Sequence, residues 1–119
     1  MSDVVKTSTI TIRIGLDAEK MPTAIDWQAE DGPSGPTSRS CKAMLLALFD
    51  EETMDTFKID LWTKEMKVSE MDRFFYQNLK SMADTYFRAT QNTELANEMQ
   101  KFAQYFGEET EIIPKPDNN

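Results

Sequence analysis

The chain contains no histidine, and this removes much of the chemistry a small protein performs near neutral pH. Histidine is the usual general base in that range and the commonest metal ligand. Without it the Ser-His-Asp and Cys-His nucleophile systems are excluded. A single cysteine and no imidazole also speak against zinc. The four glycines form neither a Gly-x-Gly-x-x-Gly nor a Gly-x-x-x-x-Gly-Lys loop that could cradle a phosphate. Calcium fares no better, because no Asp-x-Asp-x-Asp-Gly spacing occurs. Paired carboxylates remain, and Asp26 and Asp60 fall on the polar side of predicted strands, where a glycosidase-like pair is conceivable by residue type. Arg13 and Lys58 are expected on that same side, however, which reads as a solvated sheet face with cross-strand charge pairs. Cys41 opens an apolar stretch and reads as a small buried hydrophobe. The sequence therefore points to a protein that is not an enzyme, with no catalytic residue, no cofactor and no metal.

What remains is binding. Met71, Met82 and Met99, three of the eight methionines, fall on the core stripes of predicted helices and read as core filling. Met66 differs, sitting just past Trp62 in a short polar connection. Trp62 itself stands out. Residues 56–63 alternate, with Phe57, Ile59 and Leu61 inward and Lys58, Asp60 and Trp62 outward, so a tryptophan occupies an outward face that should be polar. Such a residue is either covered by its own chain, from residues 31–37 or the tail, or it anchors a partner, since tryptophan buries a large area at low entropic cost. The candidate partner-binding set is Trp62 and Met66, with Asp60, Lys58 and Arg13 giving polar register at the rim.

Other elements must position these side chains. Residues 7–16 alternate strictly, with Ile10, Ile12, Ile14 and Leu16 on one side, which predicts a half-buried strand. Residues 24–30 alternate again with Ile25 and Trp27 on the apolar side, so the two form an antiparallel hairpin across a six-residue connection. Residues 31–37 hold two glycines and two prolines and read as a mobile loop. A helix capped by Thr37 or Ser38 is expected up to about Asp50, because residues 43–49 are apolar all round and lack β-branching. Residues 56–63 give the third strand. Ser69 then opens a long amphipathic helix, with Asp72 as the partner in a capping box. A last helix follows Asn92, with Gly107 placed to end it. The expected fold is α+β: a three-stranded, mainly antiparallel sheet packed on one face by three helices, in the order strand-strand-helix-strand-helix-helix. Residues 1–109 are expected to form a single domain, and the acidic, proline-containing tail 110–119 to be flexible.

Charge narrows the partners. Thirteen Lys plus Arg against twenty-one Asp plus Glu give a formal net charge of -8. The cations are scattered beside acids, the opposite of the clusters that nucleic acid or anionic lipid requires. The longest apolar run, residues 43–49, is too short to span a bilayer, and no apolar signal region follows the first ten residues. A cytoplasmic protein, at most peripheral to the inner membrane through a protein partner, is the expectation. A homodimer on the exposed sheet face or its edge would also cover Trp62.

These residues also carry a likeness. Residues 42–50 (KAMLLALFD) and 59–64 (IDLWTK) resemble the small gliding-motility proteins called GldC. So do residues 15–17 (GLD), 25–27 (IDW), 70–71 (EM), 81–86 (SMADTY) and 88–90 (RAT). No one motif is diagnostic, but the ordered series covers about residues 9–107. The resemblance implies a non-enzymatic accessory or adaptor protein of the Bacteroidota gliding or cell-envelope machinery, at the inner side of the envelope, and it brings no catalytic residues. Asp60 and Trp62 are among the matching positions. The alternative is a small-ligand carrier with a pocket between the sheet and the long helix of residues 69–91, lined by phenylalanine, tyrosine and methionine.

Overall fold

The computed structural model describes residues 2–33 and 35–117. Ser34 of the glycine-proline loop, together with Met1, Asn118 and Asn119, lies outside them. Five strands precede two helices: β1 (Ile10–Leu16), β2 (Pro22–Ala29), β3 (Arg39–Cys41), β4 (Ala43–Phe49), β5 (Thr56–Trp62), α1 (Val68–Thr90) and α2 (Thr93–Glu109). They divide into two compact units, Met1–Met66 with all the strands and Lys67–Asn119 with both helices.

In the first unit β1, β2 and β3 form an antiparallel sheet in that order. The alternation in β1 and β2 meets in register. Ile14 lies opposite Ile25 and Ile12 opposite Trp27, so the apolar residues share one face, while Arg13 lies opposite Asp26 on the other. The turn between them is organised by Asp17, whose carboxylate accepts the backbone N–H groups of Glu19 (2.8 Å) and Met21 (3.0 Å). An Asp side chain bonding its own downstream backbone is a common way to close a turn. Lys20 takes the left-handed conformation this requires, at φ 64°. Ile25, on the central strand, is 2% exposed.

The principal correction concerns residues 38–50, expected as a helix. They are extended: β3 pairs with β2, the chain bends at Lys42, and β4 leaves to pair with β5 in a separate two-stranded sheet. There are thus two sheets and two helices in place of one sheet and three helices, although the α+β class holds. The physical reason lies in the run itself. Seven apolar residues carry no periodicity to separate a buried helix from a strand. Alanine, leucine and methionine favour the helix by only a few tenths of a kcal/mol each. A full ladder against β5 outweighs that preference, because it gives every residue from Ala43 to Phe49 a cross-strand neighbour.

The second unit is a helical hairpin. The N-terminus of α1 lies two residues earlier than expected: the backbone N–H of Lys67, not Ser69, donates to Glu70 Oε1 at 2.9 Å, and Asp72 has no part in it. Gln91, left-handed at φ 59°, closes the helix with its N–H on Phe87 O. Asn92 Oδ1 then accepts from Leu95 N at 3.1 Å and caps α2, the helix expected to follow Asn92. The seam between the helices is made of small residues, with Ala83, Ala96, Ala103 and Gly107 buried. Met71 and Met99 are half-buried, but Met82 is exposed, so it does not fill this unit's core. Gly107 does not end α2. It lies within the helix, which continues to Glu109. A Cβ on Gly107 would stand 2.6 Å from Tyr76 Cε1 and 2.9 Å from Ile113 Cγ1, so this glycine serves a close approach instead of a stop. The chain then turns back, and Ile113 N–H reaches Gly107 O at 3.1 Å.

Candidate functional site: the Trp62 ribbon

The ribbon of β4 and β5 has two faces set by its register. On one, Met44, Leu46 and Leu48 lie opposite Leu61, Ile59 and Phe57. On the other, Ala43, Leu45, Ala47 and Phe49 lie opposite Trp62, Asp60, Lys58 and Thr56. The face partition read for β5 is realised, with Trp62 on the face of Asp60 and Lys58. The opposite face is not the buried one expected: Phe57 is 58% and Ile59 50% exposed, because a two-stranded ribbon has no further layer on it in this unit. Trp62 is 55% exposed.

Four of its face-mates, Ala43, Leu45, Ala47 and Phe49, come from β4 and were not visible from sequence. Ala43, directly across, together with Leu45 and the exposed Phe49, makes this face more apolar than β5 alone suggests. The strand pattern of β5 carried no information about its partner. These neighbours stand beside Trp62's strand only because residues 43–49 are extended and not helical.

The polar members of the candidate set divide. Lys58 Nζ and Asp60 Oδ2 pair at 3.3 Å along the same strand, both about half exposed. Arg13 belongs to the other sheet. Its guanidinium bonds Asp26 Oδ1 at 2.8 Å and Ser38 Oγ at 3.5 Å, while Ser38 Oγ in turn donates to Asp26 Oδ1 at 3.2 Å. Asp26 and Asp60 are thus held by cations on separate sheets. Met66 follows Thr63 in a tight turn, its N–H on Thr63 O at 3.1 Å, and is half-buried.

The end of β5 is firmly placed. Thr63 is 5% exposed, and its N–H extends the ladder to Lys42 O at 2.8 Å. Lys64 Nζ reaches back to Asp17 Oδ2 at 2.6 Å. That hydrogen bond, followed by the Met21 N–H, holds the Asp17 carboxyl below its usual pKa against a small desolvation in the other direction. Trp62 therefore ends a strand whose next residues are tied to the β1–β2 turn.

Beside this corner lies an open cleft of about 360 Å³, lined by Asp26, Ser40, Cys41, Lys42, Thr63 and Glu65 with Thr23, Ala24 and Ile25. Its lining mixes polar and apolar groups and holds no phenylalanine, tyrosine or methionine, unlike the pocket invoked for a ligand carrier. Burial, then the neighbouring Asp26 charge, pushes the Cys41 thiol above its ordinary pKa, opposed by a hydrogen bond from Ala43 N–H. A protonated thiol is a poor nucleophile. Among the described residues no helix is long and apolar enough to cross a membrane.

Fold and site together define a small α+β protein made of an antiparallel sheet unit and a helical hairpin, with a tryptophan-centred ribbon face as its candidate site. The chain belongs to the GldC-like family: the family model described as "Gliding motility-associated protein GldC-like" matches residues 22–112. Trp62, Asp60, Lys58 and Met66 fall inside the matched span, and Arg13 lies before it. Comparison with curated proteins and with solved structures found no match.

Proposed function

We propose that this chain is a non-enzymatic accessory or adaptor protein of the gliding-motility machinery, binding another protein component through the β4–β5 face around Trp62. The observation that carries the reading is the placement of Trp62. More than half of it is exposed, on a face whose apolar neighbours come from β4 and whose charges, Lys58 and Asp60, neutralise each other. Desolvating a mutually paired Lys–Asp costs less than burying an isolated charge, and a tryptophan with Ala43 across from it and Leu45 on the diagonal suits an anchor that a partner encloses. Arg13, occupied by Asp26 on the other sheet, drops out of the proposed rim.

The test replaces the chromosomal copy of a gliding host with a Trp62→Ala variant and measures colony spreading alongside protein abundance. Reduced spreading at unchanged abundance and unchanged thermal midpoint is the expected result. Normal spreading with the variant would remove Trp62 from the function.

A further inference from the structure

The outer edge of β5 carries a second message. In the β4–β5 ladder Thr63 N–H bonds Lys42 O and Asp50 N–H bonds Asp55 O. With the register of this ladder, that phase directs the backbone groups of Phe57, Ile59 and Leu61 at β4. The N–H and C=O groups of Thr56, Lys58, Asp60 and Trp62 therefore point to the other edge, where no strand pairs among the described residues. An edge of this kind is a template for another strand.

We propose that this edge is a homodimer interface, in which β5 pairs antiparallel with β5 of a second copy about a two-fold axis at Ile59. The strand's own charge pattern selects both occupant and register. With the axis at Ile59, Lys58 lies opposite Asp60 of the second copy and Asp60 opposite its Lys58. Phe57 then meets Leu61, Ile59 meets its own copy, and Trp62 meets Thr56. All the edge-directed residues pair with edge-directed residues, as an antiparallel ladder demands. The two nearest registers that keep this phase set Lys58 against Lys58 or Asp60 against Asp60, which is unfavourable for residues directly opposite. The contact is isologous, so it closes after two copies and does not propagate into a filament. It also prolongs the apolar face on which Phe57 and Ile59 are 58% and 50% exposed. The other free edges lack such a code. β4 carries no charge along its length, β1 has only Arg13, with its ladder broken between Gly15 and Leu16, and β3, three residues long, carries Arg39 and no acid.

The dimer uses the strand edge and leaves the Trp62 face open, so it does not depend on the partner reading. Sedimentation equilibrium of the full chain tests it, with circular dichroism confirming that each variant is folded. The wild type should be a dimer. Lys58→Asp and Asp60→Lys should each weaken association about tenfold or more, since two cross-strand pairs turn from attraction to repulsion. The double reversal K58D/D60K should restore it. Mixing the two single variants in equal amounts should also restore it as a heterodimer, an outcome that repulsion within one strand cannot produce. Lys58→Pro, which removes an edge N–H and no bond to β4, should give a folded monomer. A monomeric wild type, single reversals that stay dimeric, or a mixture of singles that stays monomeric would each overturn the proposal.

Discussion

Gly107 and Tyr76 stand in contact across the helical hairpin so closely that a methyl group on Gly107 would lie 2.6 Å from one ring carbon of Tyr76 and 2.8 Å from another. No side chain fits there without movement, and Ile113 closes the same space from the returning chain. In an exposed helix, alanine would be favoured over glycine by about 1 kcal/mol. Here overpacking, typically about 1–3 kcal/mol, should reverse the sign. Gly107→Ala is expected to lower the thermal midpoint by several degrees, measured by circular dichroism at 222 nm. A midpoint that rises would show that Tyr76 yields freely.

The second helix should depend on Asn92. Its side chain satisfies Leu95 N–H, one of the donors a helix start leaves without an intrahelical partner. Asn92→Ala is expected to cost about 1 kcal/mol, and Asn92→Ser much less, because serine can accept the same bond. Urea unfolding of the two variants side by side separates loss of the cap from a general surface effect.

Acid sensitivity should trace in part to Asp17. Its hydrogen bonds from Lys64 and from the Met21 and Glu19 backbone depress the folded-state pKa below the ordinary 3.8. The sign follows from linkage: a depressed carboxylate stabilises the folded form above the unfolded pKa, and the contribution disappears as pH falls through the lower folded value. Asp50 adds in the same direction, chiefly through the Thr53 N–H. Stability should therefore decline below about pH 4, and less steeply in Asp17→Asn. Thermal midpoints from pH 7 down to pH 2 would show this, and identical pH profiles would exclude Asp17 as a contributor.

Trp62 should matter little to folding. A side chain more than half exposed at the end of a strand is expected to cost less than about 1 kcal/mol when cut to alanine. The fluorescence of the protein should then lose its redder component, leaving Trp27, which is 40% exposed. A fall of many degrees in the midpoint would place Trp62 in the core.

Much of the first unit was legible because its strands obey period two. Ile10, Ile12 and Ile14 announce β1, and Phe57, Ile59 and Leu61 announce β5 while setting Trp62 on the opposite face. The start of the last helix after Asn92 and the two amphipathic stripes were legible for similar local reasons. The alternation could not say which strand lies beside which. Arg13 and Lys58 share a pattern but belong to different sheets, because the chain bends at Lys42, where no proline or glycine marks a break. Gly107 read as a stop because glycine often follows a helix, whereas a close approach across a hairpin depends on residues about thirty positions away.

The sequence by itself determined the periodic elements, the face that Trp62 shares with Lys58 and Asp60, and the exclusion of histidine-based chemistry, since each rests on residue type and short spacing. Tertiary structure alone decided that residues 43–49 extend. Their apolar side chains suit a buried helix or strand equally, and only the ladder to β5 breaks the tie. The same pairing sets Ala43 directly across from Trp62 and Leu45 on the diagonal, with Phe49 at the far end of the same face, turning a solitary aromatic into part of a surface.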